Sequence, residues 1–337
     1  MKRKIFLLGI AALFLFLWPQ SVFSAEGTFT VKTIIPANQL DKEKTYFDLR
    51  IAPGEEQDLE LVIKNNSPEK KTVAASAHSA TTNDNGVVEY GEAEKQADRS
   101  LRYKMSELLQ LEEKVVIEAH AEKTVKAHLK VPAEAFDGIL LGGLTFSEEV
   151  AGSEESAMID NQYAYCIGVV LSENDKVIEP DLKLANVHAG QENYRNVIQA
   201  NLQNDQPAMI KKLAVKGAVY QKGHDEALYS ADNQELKMAP NSNFNFNIPL
   251  NGEQLAAGSY IFKGKAEAAG RTWNFEKAFE ITSQEAKKWN AQAVEIKNSD
   301  KSFLEHLLII GAAVLVTILL FFLLLKKLLS RNVPKDS

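Results

Sequence analysis

Residues 58–68 read DLELVIKNNSP: Leu59, Leu61 and Ile63 alternate with Asp58, Glu60, Val62 and Lys64, and a run of turn-forming residues follows. A period of two puts successive side chains on opposite faces of a strand, whereas a helix repeats every 3.6 residues. The same alternation returns at Val125, Ala127, Leu129 and Val131 against Thr124, Lys126, His128 and Lys130. Turn chemistry punctuates it at Pro53-Gly54, Asn65 to Pro68, Asn83 to Gly86 and Asp137-Gly138, because Gly, Asn and Asp tolerate positive φ and Pro presets the turn. Strands at that spacing predict a β-sandwich over residues 26–150. Within it, Leu101, Met105, Leu108 and Leu109 have helical spacing, which predicts a helical crossing over Leu101 to Leu111. Gly142-Gly143, inside the strand-like 139–146, marks a bulge or a close backbone approach.

Residues 151–160, AGSEESAMID, are small, acidic and unpatterned, as in a linker. A second series begins with Tyr163, Tyr165, Ile167, Val169 and Leu171 and continues through 181–187, 194–202, 213–220, 244–248, 260–265 and 273–281. Those stretches predict a second immunoglobulin-like sandwich over 161–284. The two domains read as alike in class without an internal sequence repeat. After Ile281 the chain turns charged and free of Pro and Gly, which predicts a helical stalk over 285–303.

The two ends carry membrane signals. Leu307 to Leu325, LLIIGAAVLVTILLFFLLL, is an uncharged apolar run, long enough as a helix to cross a hydrocarbon core of about 30 Å. Lys326, Lys327, Arg331 and Lys335 follow it and predict a cytoplasmic tail over 326–337 behind a span at 304–325. At the other end, Lys2, Arg3 and Lys4, an apolar stretch to Trp18 and Val22-Phe23-Ser24-Ala25 form a secretory signal over 1–25. The expected fold class is therefore all-β: two tandem immunoglobulin-like β-sandwich domains, a helical stalk and a single C-terminal transmembrane helix. The expected location is the cell membrane, single-pass, with the ectodomain extracellular and the C-terminus cytoplasmic.

The chain carries a net charge of −7, and removing the signal and residues 301–337, each +3, leaves −13 for residues 26–300. Such a surface repels phosphate backbones, so nucleic acid is not an expected partner. The single Cys166 rules out an internal disulfide, a habit of extracytoplasmic proteins of Gram-positive bacteria. Cys166 falls mid-strand and reads as a buried, inert thiol. The six histidines have no H-E-x-x-H spacing, and there is no G-x-S-x-G. Gly258 to Lys265 departs from a phosphate loop in its spacing, and Thr81 to Glu92 departs from a calcium loop at its first position. Glu148, Glu149, Glu154 and Glu155 read as a solvated acidic run, with cation binding left open. No catalytic, cofactor or metal residue is expected. Trp289 either docks on the second domain or faces a partner.

A family resemblance rests on FTVKTIIPANQL (29–40), YFDLRIAPGEEQDLELVIKNNS (46–67), TTNDNGVVEY (81–90) and FDGILLGGLTF (136–146) in the first domain. In the second it rests on YAYCIGVVL (163–171), NLQN (201–204), MAPNSNFNFNIP (238–249), AGSY (257–260) and WNFEKAFEIT (273–282). In that order the ectodomain resembles the WxL-interacting proteins of Gram-positive cell surfaces. The resemblance implies a non-enzymic adaptor whose first domain binds peptidoglycan and whose second binds a host extracellular-matrix or surface ligand. It further implies secreted WxL-domain proteins as partners, and no catalytic residues. An extracytoplasmic chaperone acting by strand addition is the alternative. Candidate contact residues lie in the loops Asn38 and Gln39, Asn83 and Asn85, and Pro240, Asn241 and Ser242.

Overall fold

The computed structural model describes residues 27–91, 97–149, 164–294 and, as helix, 309–312, 314–318, 320–321 and 323. The chain divides into two compact units. Unit 1 takes the residues up to Thr81 and Glu89–Ile178; unit 2 takes Thr82–Val88 and everything from Glu179. The signal at 1–25, the linker at 151–160 and the tail at 326–337 lie outside the described residues, as does part of the span at 304–325. Among the described residues no helix is long and apolar enough to cross a membrane.

Unit 1 holds β1 (Phe29–Ile34), β2 (Phe47–Arg50), β3 (Glu56–Asn65), β4 (Lys71–Ser79), α1 (Met105–Leu108), β7 (Leu109–Leu111), β8 (Lys114–Ile117), β9 (Glu122–Lys130), β10 (Leu140–Glu148) and β11 (Ala164–Ser172). Between β4 and α1, β5 (Thr81–Thr82) and β6 (Val88–Glu89) form a short hairpin. One sheet runs β1-β3-β9-β7 and the other β2-β11-β10-β4-β8. The predicted alternation sets the faces: Leu59, Leu61 and Ile63 of β3 are fully buried, as are Ala127 and Leu129 of β9. They meet Phe47, Leu49, Leu144 and Phe146 from the other sheet in one apolar core.

Two sequence expectations change here, and a third is decided between its alternatives. The predicted helix over 101–111 is a single turn, α1, whose first N–H is capped by Ser79 Oγ at 2.9 Å. Leu109 to Leu111 instead pair as a strand with β9, where unpaired backbone groups offer more hydrogen bonds than a second helical turn. Gly142 and Gly143 are not a bulge, since the register of β10 against both β4 and β11 runs unbroken through them. They are sites of close approach: a Cβ on Gly142 would lie 2.3 Å from His78 O and 2.8 Å from Met105 Cγ. Finally, the strand that opened the second domain in the sequence reading, β11, pairs with β10 and, in parallel, with β2. Its alternation is that of a strand, but period says nothing about which sheet a strand joins.

Unit 2 contains β12 (Leu182–Glu192), β13 (Arg195–Asn204), β14 (Ile210–Gln221), β15 (Ala227–Met238), β16 (Ser242–Pro249), β17 (Gly258–Ala268), β18 (Arg271–Ile281) and α2 (Ser283–Gln292). Its sheets run β12-β13-β16 and β15-β14-β17-β18. Replacing β1, β3 and β9 by β12, β13 and β16, and β8, β4, β10 and β11 by β15, β14, β17 and β18, turns the pairing of seven strands of unit 1 into that of unit 2, with β2 and β7 as additions at the sheet edges of unit 1. The two units thus share one topology. They also share a small sequence signature, too short to read as a repeat: Asn65-Asn66-Ser67-Pro68 and Asn204-Asp205-Gln206-Pro207 close equivalent strands. Asn65 and Asn204 are both fully buried. Asn65 Nδ2 donates to the carbonyls of Glu69, Ile117 and Glu118, and Asn204 Nδ2 to those of Ala208 and Ala239.

The sequence reading also missed β15. Apart from Leu236 and Met238 it is mostly exposed and polar, so it carries almost no apolar period. The segment read as a stalk begins as α2, whose capping box joins Thr282 and Glu285. Ala286 is buried and Trp289 packs against the core of unit 2, while Gln191 Nε2 donates to Trp289 O at 2.7 Å. Trp289 therefore docks, and residues 283–292 belong to the domain instead of spacing it from a bilayer. The remainder of the stalk, from 295, lies outside the described residues.

Candidate functional site

Two of the three candidate loops meet inside unit 2. Asn83 Oδ1 accepts from the N–H groups of Asn85 (3.0 Å) and Val87 (3.1 Å), an Asx turn that shapes the segment 82–88. Thr82 Oγ1 accepts from Ala239 N–H at 3.0 Å and lies 2.7 Å from Ser242 Oγ, which is itself bonded to Ala239 O. Asp84 Oδ1 accepts from Asn245 N–H at 2.8 Å, and Gly86 O accepts from Lys237 N–H at 2.8 Å. Gly86 has φ +68°, and a Cβ there would stand 2.7 Å from Leu236 Cδ2. The segment thus seals the ends of β15 and β16. Asp84 occupies an edge N–H of β16, and Pro249 at the far end has none to offer.

This arrangement gives most of the candidates structural duties. Ser242 is buried within the Thr82 network. Asn241 has φ +49°, and its Nδ2 donates to Asp205 O. Pro240 is buried. Asn85 is exposed, and its side chain has no hydrogen bond among the described residues. The remaining pair, in unit 1, is also structural: Gln39 is 5% exposed, donates to Asp41 O and Tyr46 O, and accepts from Asp48 N–H. Asn38 Nδ2 donates to Arg50 O. Both asparagine-rich turns were found by composition, which cannot tell a turn that meets a partner from one that fastens its own domain.

The doubled substitution Thr82→Val with Asp84→Ala tests the fastening. It strands the buried amide of Ala239 and the half-buried amide of Asn245, each costing about 1–2 kcal/mol. The urea midpoint of unit 2 should fall, and those two amides should exchange faster.

The acidic run divides. Glu148 accepts from Thr28 Oγ1 and pairs with Lys71 Nζ at 2.6 Å, and Glu149 pairs with Lys114 at 2.7 Å. Glu154 and Glu155 lie outside the described residues. Among the described residues no His, Cys, Asp and Glu group has a metal-holding arrangement. Burial pushes the Glu148 carboxyl up, but the hydrogen bonds from Lys71 and Thr28 outweigh it and leave its pKa below the ordinary value. A depressed folded pKa means that Glu148 stabilises unit 1 fully above its unfolded value of about 4.3 and loses that contribution as pH falls through the folded value. The stability gap between wild type and Glu148→Gln, measured in urea, should therefore be present at pH 7 and narrow steadily as the pH falls below the ordinary carboxylate range.

Cys166 differs from its reading. It is exposed on the outer face of β11, not buried, with Sγ 4.0 Å from Thr145 Oγ1. Desolvation of the sulfur raises the thiol pKa, against a smaller opposing effect of Thr145, so it stays protonated at neutral pH. Sequence reasoning also missed an amide face in unit 2. Gln199, Asn201 and Gln203 of β13 stand directly opposite Asn247, Asn245 and Asn243 of β16. Gln199 donates to Asn247, and Asn201 to Asn243 and Asn245. The alternation NFNFN at 243–247 was the available signal, and it was used only for its phenylalanines.

Comparison with known proteins places this architecture. Residues 29–148 match the peptidoglycan binding domain, and residues 154–291 the host binding domain, of the WxL Interacting Protein family. The chain belongs to the WxL-interacting protein family. Within this WxL-interacting protein, the host-binding match begins before β11, which pairs in the sheet of unit 1. The peptidoglycan-binding match contains the segment 82–88, which packs in unit 2. No curated protein matches the chain. Among solved structures, it is similar to the CsuC–CsuE chaperone–tip subunit complex of Acinetobacter baumannii, at 14% identity, TM-score 0.31 and coverage of 74% of this chain and 97% of that one. It is also similar to the E. coli chaperone DraB, at 12% identity, TM-score 0.28 and coverage of 75% and 98%. Likeness at those scores carries no argument about function.

Proposed function

We propose that the chain is a membrane-tethered surface adaptor that binds secreted WxL-domain proteins, holds peptidoglycan through its first domain and meets a host ligand through its second. The paired family match, peptidoglycan-binding then host-binding, carries this reading. Both matched families are binding domains, which accords with a protein that is not an enzyme. Secretion rests on the basic and apolar leader at 1–25. Anchoring rests on the apolar run 307–325, where Ile309, Leu315, Phe321 and Leu323 are exposed on helix, a surface that favours lipid over water. The acidic ectodomain, at −13 over residues 26–300, steers basic partners toward it.

Co-sedimentation of the full-length chain with purified, insoluble peptidoglycan tests the wall-binding part. Saturable pelleting is expected, with soluble peptidoglycan fragments competing. A chain that stays in the supernatant while folded would remove peptidoglycan from the proposal.

A further inference from the structure

Besides the added strands β2 and β7, the units differ at one shared edge. In unit 2, β15 accompanies β14 along its length, from Ile210 opposite Met238 to Tyr220 opposite Ala227. In unit 1, β4 holds the place of β14, but its neighbour β8 pairs with it only from Lys71 to Ala74, with one more bond from Ala75 N–H to Glu113 O. Just upstream of β8, the chain lies in the opposite sheet as β7. Beyond Ala75, no strand lies beside this edge of β4 among the described residues.

Backbone alternation fixes what the bare edge offers. Ala75 N–H points toward β8 and Ala80 N–H toward β10, where it meets Leu141 O, so Ala77 turns its N–H and C=O to the uncovered side. Ala77 is 6% exposed, and those groups have no partner among the described residues. Buried backbone groups are almost always paired, and an unpaired strand edge is a template for another strand. A cavity of about 660 Å³ opens beside it, lined in part by Ala75, Ala77, Ser106, Leu109, Leu111 and Glu113.

We infer that an extended segment of a partner polypeptide adds to β4 at Ala77 as an antiparallel strand, extending the line of β8. Unit 2 displays what fits. There, Tyr229 to Asn233 stand beside Val215 to Val219, with Tyr229 and Ala231 against the core and Ser230 and Asp232 outward. The incoming segment is correspondingly about five residues, some 16 Å long at a strand's rise. It places a small or apolar side chain against Leu109 and Leu111. Lys114 is paired with Glu149, whereas Glu113 has no ion pair among the described residues, so the segment is neutral or basic. A ladder of backbone groups reads another backbone, which favours a polypeptide over a wall glycan. The identity of the donor, a WxL-domain protein, rests on the adaptor reading above.

Hydrogen exchange of the full-length chain, with and without the WxL-domain protein from the same locus, tests the inference. The Ala77 amide should exchange at least tenfold more slowly in the complex. Ser106→Trp and Gln110→Trp, at exposed positions lining the cavity, should each weaken binding at least tenfold without moving the urea midpoint. Binding that both variants leave intact, with Ala77 unchanged, overturns the edge assignment alone. A wild-type chain that binds no WxL-domain protein overturns the adaptor reading and this donor with it. Protection of Ala77 in the free chain at all concentrations, only on self-association, or only with soluble peptidoglycan would assign the edge to the chain's own segment, a second copy or the wall. Each of these overturns the proposal.

Discussion

Asn65→Ala should lower the unfolding free energy of unit 1 by about 3 kcal/mol, because a fully buried amide is lost and three carbonyls lose their donor. Asn65 is fully buried, and its Nδ2 lies 2.7, 3.2 and 3.1 Å from Glu69 O, Ile117 O and Glu118 O. Its Oδ1 also accepts from Ser67 N–H and Oγ, which fixes the turn. Asn65→Asp keeps the shape but replaces the donor by an acceptor facing three acceptors. It should be less stable than Asn65→Ala at pH 7 and recover as the carboxyl protonates. Urea denaturation with an unchanged m-value measures both. If Asn65→Ala unfolds at the wild-type midpoint, the Asn-x-x-Pro turn is decoration and not a clasp. Asn204→Ala makes the parallel case in unit 2, with two donated bonds in place of three.

Gly142→Ala should be at least as damaging, at about 3 kcal/mol or more, since overpacking costs rise steeply where the clash is with backbone. The new methyl would stand 2.3 Å from His78 O, a ladder atom of β4, and 2.8 Å from Met105 Cγ in α1. A rotamer change moves Met105 but not His78 O, so β10 and β4 must separate. At Gly143 the nearest atoms, Tyr90 Cβ and O, lie at 2.9 Å on the other face, outside the core. Gly143→Ala should therefore cost less. The order of the two midpoints in thermal or urea unfolding is the check, and equal midpoints would contradict the close-approach reading.

How far the sequence led depended on the physical signal each element carried. Half-buried strands such as β3 and β9 advertise themselves, because each buries Leu, Ile or Val on one face and wets the other. β15 does not, being polar along most of its length and held by backbone pairing to β14. The sheet to which β11 belongs was equally silent, since alternation is a property of one strand and pairing of two. The buried asparagines looked like ordinary turn residues. Only the structure shows Asn65 and Asn204 reaching back to carbonyls distant in sequence.

The candidate loops show the same limit. Asn83, Pro240, Asn241 and Ser242 were chosen for their turn chemistry, and the structure spends most of that chemistry within unit 2. The open edge at Ala77 had no local signal at all. Ala74-Ala75-Ser76-Ala77 reads as an unremarkable run of small residues, and its interest comes from the shortness of β8 beside it.

The most direct test of the account is calorimetric titration of the full-length chain with the WxL-domain protein from the same locus. The adaptor reading predicts saturable binding with a fixed stoichiometry. No heat and no complex, from a chain whose cooperative unfolding shows it to be folded, would contradict it.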